Sequence, residues 1–109
     1  MARDLELKVY SDGRKMLRWK AFAGNGKQLA RSPRGYRKEE QILADIHWIL
    51  EEKRDPELYR DTRNKREWRW RLAKEDGTVV AIGSEGYVRK IDCNKSANLF
   101  LDANPVGEY

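Results

Sequence analysis

Laid over itself with a shift of 51 residues, the chain matches at positions that decide architecture. Arg18-Trp19 meets Arg69-Trp70, Gly26 meets Gly77, Ala30 meets Ala81, Gly35-Tyr36 meets Gly86-Tyr87, Leu7 meets Leu58 and Leu50 meets Leu101, without a gap. These are glycines, aromatics and aliphatics, the residues of turns and cores, whereas coincidence would spread identities over polar surface as well. Residues 1–109 therefore read as a single domain made of two copies of one unit, about 5–52 and 56–103. Pro56 disfavours a helical Asp55 and so marks the joint between them.

Periodicity gives each copy the same plan. Trp68, Trp70 and Leu72 alternate with Arg69 and Arg71, as Leu17, Trp19 and Ala21 alternate with Arg18 and Lys20, the period-2 signature of a strand with one buried and one wet face. A strand is expected before each, over 5–10 and 57–61, across hairpin turns at Asp12-Gly13 and Arg63-Asn64-Lys65, where Gly and Asn tolerate positive φ. Gly24-Asn25-Gly26 and Asp76-Gly77 then lead into third strands near 27–31 and 78–82. After each Gly-Tyr pair the period becomes helical. Ile42, Ile46, Ile49 and Leu50 share one face of residues 38–53, and Cys93, Ala97, Phe100 and Leu101 occupy the same places in the second copy. Val106 and Tyr109 could pair on a sheet edge. A unit of about 50 residues is marginal alone, so the expected fold is α+β: two tandem β(3)-α repeats sharing an antiparallel sheet, two helices on one face, related by a pseudo-twofold axis.

Among these residues, Glu67-Trp-Arg-Trp-Arg-Leu72, Asp76-Gly77 and Gly83-Ser-Glu-Gly-Tyr87 followed by a helix resemble the repeat of the YegP-like family, a bacterial and archaeal domain of unknown function. The second copy carries the resemblance well and the first loosely, through Leu17-Arg-Trp-Lys20 and Arg34-Gly-Tyr36. The resemblance implies a β(3)-α repeat whose copies build a shared sheet with a strand exchanged between halves. It supplies no catalytic residues.

The composition excludes several classes of chemistry. Charged residues form 38% of the chain, and no apolar run approaches the roughly 20 residues a bilayer helix needs. The N-terminal residues carry no apolar stretch of the secretory kind, and a lone Cys93 suits a reducing compartment, so a cytoplasmic setting is expected. His47 and Cys93 lie in different copies, which leaves no metal site. Cys93 has core spacing and is expected to be a buried hydrophobe, while His47, beside Glu51 on a helix, is expected to be solvated. Gly24-Asn25-Gly26-Lys27 precedes a strand and is a hairpin turn, not a phosphate loop. No cofactor is expected, nor an enzyme.

What remains is a surface. Residues 13–38 hold nine cations and no acid, within a net charge of +5. If Trp19 and Trp70 face the helices, alternation puts Arg18, Lys20, Arg69 and Arg71 on the opposite face of the sheet, with Tyr10, Phe22 and Tyr59 on the same side by parity. This is the candidate partner surface. Two occupants are open: a protein partner, including a second copy of the chain, reached through aromatics such as Phe22, Tyr10 and Trp48, or a nucleic acid or other polyanion held in a salt-sensitive way.

Overall fold

Alternation and helical period produce two successive strand-strand-strand-helix runs in the computed structural model, which describes residues 4–52, 55–63, 66–102 and 104–106. The first run is β1 (Asp4–Ser11), β2 (Leu17–Ala23), β3 (Gln28–Arg31) and α1 (Glu39–Glu52). The second is β4 (Glu57–Asp61), β5 (Glu67–Ala73), β6 (Val79–Gly83) and α2 (Lys90–Asp102), after which β7 (Asn104–Val106) closes the described chain. All strands join one sheet in the order β4-β5-β6-β3-β2-β1-β7. Pairing is antiparallel throughout except between β1 and β7, which run parallel with Leu5 opposite Pro105. The chain thus delivers its last strand to the sheet edge of its first half. Val106 lies in that strand; Tyr109 lies outside the described residues.

The halves meet at β3 and β6, where Arg31 stands opposite Ile82 and Ala30 opposite Gly83. Arg31 and Ile82 are themselves 51 positions apart. A pair that is both equivalent and opposite marks where the pseudo-twofold axis crosses the sheet.

Both helices lie on one side of the sheet, α1 over β2 and β6, α2 over β5 and β3, so each helix ties the two halves together. Trp19 and Trp70 are fully buried beneath them, with Leu72, Ile42, Ile46 and Cys93. Phe100 of α2 stacks on Trp19 with centroids 6.2 Å apart and packs on Trp70 at 5.4 Å. Truncating either indole would cost about 3–5 kcal/mol, a large share of a small domain's stability.

The Gly-Tyr pairs have a backbone explanation. Leu17 and Tyr36 exchange two hydrogen bonds at 2.7 Å, as do their counterparts Trp68 and Tyr87 at 2.6 and 2.8 Å. These bridges hold the chain against β2 and β5. A Cβ on Gly35 would lie 2.6 Å from Cβ of Met16, and one on Gly86 would run into Glu67.

The first hairpin departs from expectation. Its left-handed residue is Lys15 (φ 62°) rather than Gly13, because Asp12 Oδ1 accepts from the backbone N–H groups of Arg14 and Met16 and extends the turn by two residues. Its counterpart Arg66 has φ 55°, while Asn64 and Lys65 of the second turn lie outside the described residues. The following hairpins turn on Gly26 and Gly77, whose φ values of 87° and 90° suit glycine.

Among the described residues one charged side chain is buried. Asp45 on α1 accepts from Tyr36 Oη at 2.5 Å, from Lys74 Nζ at 3.0 Å and from Arg34 Nη2 at 3.4 Å. Paired in this way a carboxylate survives removal from water. Burial, and then the hydrogen bond to Asp45, hold the Tyr36 hydroxyl protonated far above the ordinary tyrosine range.

Candidate functional site: the open face of the sheet

With Trp19 and Trp70 turned toward the helices, the remaining parity is settled by register. Tyr10 lies opposite Arg18, Lys8 opposite Lys20 and Glu6 opposite Phe22 on β1 and β2. Lys20 is opposite Arg31 on β3, Arg31 opposite Ile82 on β6, and Ile82 opposite Arg71 on β5. Arg71 faces Glu57, Arg69 faces Tyr59 and Glu67 faces Asp61 on β4. The seven residues Arg18, Lys20, Phe22, Tyr10, Tyr59, Arg69 and Arg71 therefore share the face away from the helices. Trp48 does not join them. It sits half-buried on α1, on the other side of the sheet, with Lys74 Nζ 5.9 Å from its ring.

The electrostatics differ from an unbroken cationic plate. Arg71 makes a two-pronged bond to Glu57 at 2.9 and 3.1 Å, and the guanidinium also lies 4.7 Å from the Tyr59 ring. Arg18 Nε is 2.7 Å from Asp12 Oδ2. Arg69 lies between Asp61 and Glu67, at 3.2 and 3.5 Å. The Nε contact to Asp61 is an ion pair without the alignment of a hydrogen bond. Arg71, first through its hydrogen bond, holds the Glu57 carboxyl below the usual carboxylate range, and Arg18 does the same for Asp12. Cross-strand neighbours are near enough for these pairs to be geometric consequences of the register. Residue types alone did not disclose them, because Asp12, Glu57 and Asp61 meet their cations only through the folded hairpins.

The lysines behave differently. Lys20 Nζ sits 4.8 Å from the Tyr10 ring and Lys8 Nζ 5.3 Å from Phe22, each ammonium over an aromatic face. Lys8 also reaches Glu6 at 3.6 Å. The face is thus a mosaic in which half-buried rings are flanked by cations, and Arg18, Arg69 and Arg71 are matched by carboxylates.

Elsewhere, Cys93 is fully buried, and burial pushes its thiol up, the opposite of an activated nucleophile. His47 is exposed. Among the described residues no helix is long and apolar enough to cross a membrane.

A single sheet shared by two β(3)-α units, with both helices on one side, is a YegP-like fold. A family model described as a domain of unknown function (DUF1508) matches residues 64–98, from the β4–β5 turn into α2. The fold is similar to the solution structure of a UPF0339 protein from Shewanella oneidensis, with a TM-score of 0.77 and 10% identity over 94% of this chain and 85% of that one. It is equally similar to YegP of E. coli, a protein of unknown function, with a TM-score of 0.76 and 13% identity over 99% of this chain and 97% of that one. No curated protein matches the sequence.

Proposed function

We propose that this is a non-enzymatic binding protein that docks another protein on the open face of its sheet, in a cytoplasmic setting. The observation that carries this reading is the pairing of Arg18, Arg69 and Arg71 with Asp12, Asp61, Glu67 and Glu57. Phosphate binding draws on uncompensated cations. Here Arg18, Arg69 and Arg71 are already matched, and Tyr10, Phe22 and Tyr59 lie beside them on the same face, a combination of aromatics and arginine that suits the centre of a protein interface. The twofold relation of the halves, which we read as duplication of an ancestral unit, gives such a partner two similar stripes of residues.

The test is affinity capture from the source cell at high salt, with wild type beside a Tyr10→Ser, Phe22→Ser, Tyr59→Ser triple variant. One dominant partner kept by wild type and lost by the variant is the expected result. Identical profiles count against it. A gel shift of single-stranded DNA or RNA that weakens steeply with salt would move the function to polyanion binding.

A further inference from the structure

The two halves differ at one equivalent helix position, Asp45 on α1 and Ser96 on α2. In the first half the Asp45 carboxylate fills the corner between helix and sheet, held by the Tyr36 hydroxyl and by Lys74, which reaches across from the β5–β6 hairpin of the other half. In the second half the same corner is a cavity of about 370 Å³, lined by Tyr87, Ser96, Asp92, Lys27 and Lys95 with Leu29 and Leu99. That volume lies in the range of small-molecule sites. Tyr87 retains the place of Tyr36, and its hydroxyl has no partner among the described residues. Ser96 Oγ accepts the indole N–H of Trp70 at 3.3 Å.

The lysine is retained as well, by a change of strand. Lys74 closes its hairpin opposite Thr78, and the equivalent closing pair in the first half is Ala23 and Lys27, each joined by one backbone hydrogen bond of 2.8–2.9 Å. Lysine occupies one member of the pair in one half and the opposing member in the other, so both corners receive an ammonium from the neighbouring half. Of the two carboxylates at this corner, Asp92 lines the cavity but is engaged by Arg89 at 2.9 Å, and Glu85, about half exposed, reaches Lys27 at 3.6 Å.

We infer that this corner is a binding site for a carboxylate carried on a short aliphatic stem, which takes from outside the place that Asp45 takes from within. The carboxylate accepts from the Tyr87 hydroxyl and pairs with Lys27 and Lys95, and the stem lies against Leu29 and Leu99. Lying on the helix side, the site is independent of the open face.

The experiment is titration of the full chain, followed by two-dimensional amide NMR, with propionate in one arm and a capped Gly-Glu-Gly peptide in the other. Saturable shifts at Tyr87, Lys95 and Ser96, with millimolar affinity, are expected; the propionate arm alone indicates a free acid, and the peptide arm an acidic side chain of a protein. Tyr87→Phe should weaken binding roughly tenfold, the loss of one hydrogen bond to a charged group. Ser96→Asp should abolish it, since the site then holds its own carboxylate. Absence of saturable shifts in both arms overturns the inference, as does undiminished binding in a folded Tyr87→Phe or Ser96→Asp chain.

Discussion

Trp70 donates its indole N–H to Ser96 Oγ at 3.3 Å, while the equivalent N–H of Trp19, equally buried, has no partner among the described residues. The cause is Asp45, which stands where Ser96 stands but turns its oxygens to Tyr36, Lys74 and Arg34. One half spends its helix side chain on a charge cluster and the other on a tryptophan. Ser96→Ala leaves Trp70 in the condition of Trp19, so a loss of about 1–3 kcal/mol is expected on urea unfolding. An unchanged midpoint would show that the indole bond contributes nothing.

Burial of the Tyr36 hydroxyl, and then its hydrogen bond to Asp45, makes stability fall at high pH. The folded hydroxyl titrates above the unfolded value of about 10. Its contribution is therefore complete below that pH and is lost as pH rises through the folded value. Wild type should lose stability above pH 10 more steeply than Tyr36→Phe, as read from denaturation midpoints across an alkaline series. Parallel curves would remove Tyr36 as the cause.

Gly83 carries a steric constraint without a backbone one, its φ lying outside the left-handed region. A Cβ there would lie 2.5–2.8 Å from the indole of Trp70, which is fully buried and cannot move aside. Gly83→Ala should cost about 1–3 kcal/mol by overpacking, seen as a lower Tm. A neutral effect would mean that the β3–β6 junction can open to make room.

At Lys15 the sign reverses. Its side chain is exposed and its backbone is left-handed, a conformation that costs a residue with a Cβ roughly 1 kcal/mol. Lys15→Gly should raise stability by up to about that amount, with the entropy of a freer unfolded chain taking part of the gain. A fall in Tm would show that the turn depends on the lysine side chain.

Much of the fold was legible because its signals are local. Alternation of Trp with Arg gave the strand faces, the Ile and Phe spacing gave the helix faces, and Gly26 and Gly77 gave their turns. The first hairpin was misread at Gly13 because the Asp12 carboxylate, by accepting two backbone bonds, moved the left-handed residue to Lys15. The candidate surface was legible in its membership. Its charge was not, because an arginine and the carboxylate across the strand from it meet only when register is known, as with Arg71 and Glu57.

By itself the sequence determined the order of strands and helices, the inward tryptophans and the outward arginines, since hydrophobic period is a property of neighbours along the chain. Only the tertiary structure decided that β7 returns to β1, that the axis crosses between Arg31 and Ile82, that Arg18, Arg69 and Arg71 are matched by acids, and that one corner is filled by Asp45 while its twin stands open. Each of those depends on pairing or packing between separate stretches of the chain, which no local pattern encodes.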